Sequence, residues 1–186
     1  MANKDAAFGL KAIGKVGQNR DNQGLSEYDI AASATAIYQN DPVKMLATGT
    51  IGVAAAGDVL LGALTGVFFT DASTSKPTYA NHLEASNTAT DIVGFVADDP
   101  YERFEVQSAG TPAQTNIGNC ADIVYAAGSS PNYVSKVEAS GTMAAGTAQL
   151  KIIGVSRDPD NNELGSANAN LIVSINEHFL KATAGI

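Results

Sequence analysis

The stretch VADDPYERFEVQ, Val96 to Gln107, decides how this chain is read, because it offers either an acid–base pair or a turn between two strands. Pro100 has no amide hydrogen, so it marks a break or an edge rather than the middle of a central strand. Aspartates beside such a break accept hydrogen bonds from nearby backbone amides. Asp98 and Asp99 are sequence neighbours, and in extended backbone their side chains point to opposite faces. A carboxylate pair acting on one bond has to converge on it, usually from separate elements. The stretch is therefore a turn, and both aspartates are expected to tolerate exchange for Asn within about 0.5 kcal/mol.

Beyond the turn, Phe104 and Val106 share one face, while Tyr101, Arg103, Glu105 and Gln107 share the other. Near the end of the chain Leu171, Val173 and Ile175 alternate in the same way with Ile172, Ser174, Asn176 and His178. Period-two alternation is the signature of half-buried antiparallel strands. Similar short segments, among them DIVGFVA, TGVFFTDA, YVSKVEA and AQLKIIGVS, are separated by Gly, Asn, Asp and Pro. Asp41-Pro42 starts one such turn. Many short strands with frequent turns predict an all-β antiparallel sandwich or barrel. One stretch competes: Ile30, Ala34, Ile37 and Tyr38 fit a helix capped by Ser26, but the TAIY within it favours a strand. ANHLEASNTA is expected to be a loop with a short helical turn.

The 186 residues suit one domain, and a domain of that size buries roughly 70% of its unfolded surface. Residues 1–24 are polar, punctuated by Gly and aperiodic, which predicts an extended N-terminal arm ahead of a single β domain over 25–186. Charge is uneven. Residues 1–20 carry four bases against one acid, and the remainder carries seven bases against eighteen acids. An acidic body argues against a nucleic-acid partner, which needs a clustered basic face. The opening MANKDAAFGL lacks an apolar run, so no secretory leader is expected. Ile51 to Phe69 is apolar enough to test as a membrane span, but it contains Asp58 and four glycines. A charged residue near a helix centre costs about 2.5–3.5 kcal/mol on insertion. Buried strands turning at Gly57-Asp58 are expected instead, and no membrane partner.

Reactive chemistry finds little support. Asp158, Asp160 and Asn162 alternate as calcium ligands do, yet the sixth and twelfth loop positions hold Glu163 and Ala169 rather than Gly and Glu. A hairpin turn is expected there, with a looser calcium loop over 158–163 as the alternative. His82 and His178 belong to no ligand spacing and are expected at the surface or at strand ends. The single cysteine, Cys120, excludes an internal disulfide and reads as a small core residue. No nucleophile elbow, dinucleotide loop or P-loop signature occurs. The six Tyr and six Phe are dispersed along the chain, with no cluster suggesting a sugar platform or a single-strand binder. No cofactor, catalytic residue or metal ligand is assigned.

Four segments, MANKDAAFG, GDVLLGALTGVFFTDA, FVADDPYERFEVQ and INEHFL, resemble structural proteins of marine tailed bacteriophages, specifically capsid decoration or cement proteins. The resemblance implies a non-enzymatic virion protein of jelly-roll or β-tulip type. It would be made in the host cytoplasm and bound as a homotrimer to the outer capsid surface, where it clamps neighbouring major capsid subunits. A phage tail or fibre component is the alternative. A small enzyme would need a pocket joining residues distant in sequence, and a secreted carbohydrate-binding module is disfavoured by the absence of Trp. In this setting the arm is expected to order on docking. Phe8 and Leu10 would be its apolar anchors, and Lys11, Lys15 and Arg20 would meet acidic groups on the capsid.

Overall fold

The computed structural model describes residues 2–17 and 24–181. Among them the strands are β1 (Lys11–Lys15), β2 (Ser26–Asp29), β3 (Pro42–Met45), β4 (Ile51–Val53), β5 (Gly62–Thr70), β6 (Pro77–Ala80) and β7 (Val93–Ala97). They continue with β8 (Glu102–Gln107), β9 (Cys120–Ala121), β10 (Ile123–Val124), β11 (Glu138–Ala139), β12 (Leu150–Val155) and β13 (Asn170–Ile175). One sheet runs β1-β8-β13-β12-β9; a second runs β2-β7-β5-β3-β4, with β6 also paired to β5. A β10-β11 ribbon completes the set, and the strand pairs are antiparallel. The sheets do not close on themselves, so the fold is an all-β sandwich rather than a barrel.

Alternation explains the strands. Phe104, Val106, Leu171, Val173 and Ile175 are each at most 1% exposed and form the core beneath the first sheet with Leu150 and Ile152. The same core takes Ala54, Leu60, Ala63 and Ala97 from the second sheet and its connections. The other face of the second sheet builds a separate core from Val43, Ile51, Leu64, Val67 and Val96, covered by Ile30, Ile37, Leu83 and Ile92. The 30–38 stretch is neither helix nor regular strand. It is a loop that buries Ile30 and Ile37, with one bridge from Ile37 to Leu83. The 81–90 stretch is likewise a loop, without the expected helical turn.

The Gly57-Asp58 turn is present, with Gly57 at φ +81° and Asp58 accepting the Ala55 amide at 2.7 Å. The strands around it do not pair with each other; β3 lies between β4 and β5 and pairs with both. Among the described residues no helix is long and apolar enough to cross a membrane. The 98–101 turn also forms, but it carries the chain from β7 in one sheet to β8 in the other. Asp99 behaves as a turn residue, accepting the Tyr101 amide at 2.8 Å and pairing with Lys15 at 2.8 Å. Lys15 holds its carboxyl below the usual carboxylate range. Asp98 differs: it is 8% exposed and accepts the hydroxyls of Ser26 at 2.9 Å and Tyr28 at 2.6 Å. Neutral exchange for Asn is therefore not expected at this position, since a buried acceptor with two donors is at stake.

The N-terminal segment is part of the body. β1 pairs with β8 along its length, and Leu10 is fully buried in the core that the two sheets share. Upstream, the Asn161 side chain donates to the Lys4 carbonyl at 2.8 Å, and Gln107 accepts the Ala6 amide at 3.0 Å. Gln107, placed outward by alternation, is buried beneath this segment. Lys4 pairs with Asp160, and Asn3 donates to the carbonyls of Glu163 and Ala167. The 156–169 hairpin connection is thus tied by side chains from the chain's own start. Gly9 permits the crossing: a Cβ there would stand 2.3 Å from the Asn40 carbonyl oxygen.

Three residues have a burial that local sequence does not give; His178 sits at a strand end, as expected, but inside rather than at the surface. His178 is 2% exposed, just past β13, where it bridges Leu60. Burial, helped by Lys181, pushes its imidazole below the ordinary value, while Asp98 and Asp99 partly oppose the fall. Cys120 is only half-buried, on the short strand β9. Asp41, read as a turn residue, does sit in a turn closed by its amide on the Tyr38 carbonyl, but it is fully buried beside Pro42, with the Tyr38 amide on its Oδ2 at 2.8 Å.

Two outcomes follow from this packing. Leu10→Ala should destabilise the body by about 2–5 kcal/mol, and removal of residues 2–15 should lower the urea midpoint sharply instead of leaving it unchanged. Burial pushes the Asp41 carboxyl up to about 6, against the Ser135 hydroxyl and the Tyr38 amide. A carboxyl whose folded pKa exceeds its unfolded value binds more protons when folded. Its contribution is present in full below about pH 4 and is lost as pH rises through about 6. Wild type should therefore lose stability relative to Asp41→Asn between about pH 4 and pH 6, with a constant difference above. Urea titrations across that range would contradict the assignment if the two proteins stayed parallel.

Candidate interaction surface

The second sheet shares only part of one face with the first. Ala63 on β5 and Ala97 on β7 point into the shared core. Two residues earlier on β7, Phe95 lies on the same face by alternation, with Val93 beyond it. On β5 a bulge between Leu64 and Gly66 inserts Thr65, after which Gly66 pairs with Phe95 and Phe68 with Val93. Phe68 therefore also lies on the Ala63 face. β6 sets Tyr79 opposite Phe68. At this end the face is open, and Tyr79 is 74% exposed.

Tyr79 pairs with each of the other two rings. Tyr79 and Phe68 have centroids 4.8 Å apart at an interplanar angle of 48°, and Tyr79 stacks toward Phe95 at 6.3 Å and 16°. Such pairs contribute about 0.5–1.5 kcal/mol beyond simple burial, so they hold one another in place while still facing solvent. Gly66 keeps the centre low, with the Ala80 carbonyl oxygen 3.1 Å from where a Cβ would stand.

The register that assembles the rings is fixed by the β5–β6 turn. Asp71 Oδ1 accepts the amides of Ser73 at 2.9 Å and Thr74 at 2.8 Å, and both of their hydroxyls. The Ser73 hydroxyl leads in bringing this carboxyl down to about 2. The Lys76 carbonyl accepts the Asp71 amide at 2.9 Å, and Ser75 takes φ +56° to close the turn. Asp91, just before β7, accepts the Thr70 amide on both oxygens at 3.0 and 3.2 Å. Thr70 holds the Asp91 carboxyl below the usual carboxylate range.

On the far side of Phe95 lies β2. Glu27 pairs with Phe95 and Asp29 with Val93, and both acids are exposed on the open face. The aromatic row is thus bordered by Glu27 and Asp29 along one flank and by Asp71 and Asp91 at one end, with Lys76 in the adjoining turn. The arrangement offers carboxylates and π faces in the open, while the Ser73 and Thr74 hydroxyls are taken up by Asp71 within the turn.

The residues expected to touch the capsid are not brought together here. Phe8 is half-buried, and its carbonyl accepts the Asn40 amide side chain at 3.0 Å. Leu10 is fully buried in the core that the two sheets share. Lys11 is exposed on β1 opposite Glu105, Lys15 is engaged with Asp99, and Arg20 lies outside the described residues. A second aromatic group, His82 stacked on Tyr133 at 3.8 Å, is half-buried and ties two loops together. Among the described residues no group of three or more His, Cys, Asp or Glu is placed to hold a metal ion.

Sequence reasoning missed the aromatic face because its three rings come from three strands. Alternation acts within one strand, and only the register of β6 and the bulge at Thr65 bring Phe68, Tyr79 and Phe95 onto one face as neighbours. Comparison with known proteins brings no match: no protein-family model, no curated protein and no solved structure is similar to this chain.

Proposed function

We propose that this chain is a non-enzymatic virion structural protein that binds the outer surface of a phage capsid, as a homotrimer, and clamps neighbouring major capsid subunits. The observation that carries the proposal is the open aromatic face of β6, β5 and β7. Aromatic anchors that a partner desolvates dominate protein–protein binding, and here three rings stand together on one sheet face with Tyr79 largely in solvent. The resemblance of four segments to phage decoration proteins supplies the partner. An N-terminal segment built into the body moves the expected contact surface from that arm to the sheet.

The physics suits such a role. A trimer presents three copies of one face to a repeating lattice, and linked sites convert modest contacts into firm attachment. Binding only the assembled shell stabilises that state by linkage.

The test mixes the purified full chain with DNA-free expanded capsids. The free protein should sediment at three times the 19.0 kDa chain mass in the presence of chelator, co-sediment with the shells, and appear as regular outer density by cryo-electron microscopy. Failure to co-sediment would overturn the proposal, and density confined to the tail in labelled virions would assign the chain to the tail instead.

A further inference from the structure

The geometry points to the open face of β2, β7, β5 and β6 as a site for a protein segment bearing arginine or lysine, whose cationic side chain lies on the Tyr79–Phe68 rings and turns its charge toward Glu27 and Asp29. This inference rests on the proposed function only in taking the segment to belong to a capsid subunit.

The chemistry comes from what stands together. An aromatic ring presents a negative face, and a guanidinium or ammonium group within about 6 Å of its centroid is attracted to it. The rings here are held by one another and by the strand register, so the platform exists before a partner arrives. Beside it, Glu27 and Asp29 stand two residues apart on an edge strand, both exposed and on the ring side. Asp91 and Asp71 add negative charge at the Thr70 end, Asp91 bonded to the Thr70 amide and Asp71 to the Ser73 hydroxyl and the turn amides. Among the described residues of these strands and the turns between them, Lys76 is the basic one. An acidic partner would meet like charge here. A cationic side chain satisfies both halves of the surface, with its apolar stem on the rings and its charge at the rim. Arginine fits better than lysine, because its planar group stacks and reaches a carboxylate by two bonds.

Two probes test the site on the full chain. The first is a capped peptide of alternating arginine and glycine, titrated by calorimetry at low and high salt. Tyr79→Ser leaves the net charge unchanged and alters a side chain already mostly in solvent. It should weaken the peptide severalfold. Glu27→Gln with Asp29→Asn should weaken it further and flatten the salt dependence. Asp158→Asn, which removes one charge from the loop of the other sheet, should change little. Equal affinity for wild type and Tyr79→Ser, or equal losses from the Glu27/Asp29 pair and Asp158, would overturn the inference.

The second probe is the expanded capsid. Wild-type binding that both face variants retain in full would overturn the inference and leave the proposed function standing. No capsid binding by wild type, with the peptide results as expected, would remove the proposed function and leave the cationic site. If Tyr79→Ser instead lowers the sedimenting mass and leaves the peptide titration unchanged, the occupant is a second copy of this chain, and the inference falls.

Discussion

The rest of the structure depends on the contact where the two sheets share a core, and that contact is made by small side chains. Ala54, Ala63 and Ala97 on the second sheet meet Phe104, Leu150 and the β13 row on the first. At Gly62 the approach is closer still, since a Cβ would stand 2.2 Å from the Ala97 carbonyl oxygen. Packed interiors leave little room for added atoms. A larger residue at any of these points would push β5 from β7 or one sheet from the other, and the registers built on them would shift. The abundance of Ala and Gly in this chain is therefore a packing requirement at the seam as well as a loop feature.

Around the apolar seam runs a set of polar ties that fix how the sheets are joined. Gln149 is fully buried and holds the carbonyls of Ala55 at 2.9 Å and Asp58 at 2.7 Å while accepting the Ile123 amide. Asp98 gathers Ser26 and Tyr28 at the crossover between sheets, and burial, followed by Asp98, pushes the Tyr28 phenol up to about 12. The Lys15–Asp99 pair closes the same corner, and burial lowers the imidazole pKa of His178 close by. Buried polar groups of this kind add little net energy when satisfied, yet each is costly to leave unmade. They specify one arrangement of two sheets that apolar packing alone would leave free to slide. The N-terminal segment belongs to this system, because Lys4 and Ala6 satisfy Asn161 and Gln107.

Where the shared core ends, the second sheet continues, and its face becomes a surface. The same alternation that buries Ala63 and Ala97 carries Phe95 and Phe68 into the open. Rings left there gain partly from one another and leave apolar area facing solvent. The carboxylates beside them keep that area hydrated and narrow the range of surfaces that fit it. Electrostatic complementarity of this kind contributes more to partner choice and encounter rate than to affinity.

Periodicity in the sequence was enough to establish the strands and their inward faces. Leu171, Val173, Ile175, Phe104 and Val106 are buried as alternation required, and the breaks at Pro100 and Gly57 fall where turn chemistry put them. These features are local, since pleat and turn depend on residues a few positions apart. Alternation could not say which sheet a strand joins. That is why a turn read between two strands proved to be a crossover, and why β3 came between two strands read as neighbours. It also failed for residues whose burial is imposed by distant chain: Gln107 beneath the N-terminal segment, Asp41 beside Pro42, His178 against Leu60, and Leu10 in a stretch with no periodicity of its own. The aromatic face belongs to the same class. Phe68, Tyr79 and Phe95 were visible one by one, but a surface across three strands exists only once hydrogen-bond register has aligned them. Register is set by the Asp71 turn and the Thr65 bulge acting through the backbone, and that alignment is a property of the folded sheet.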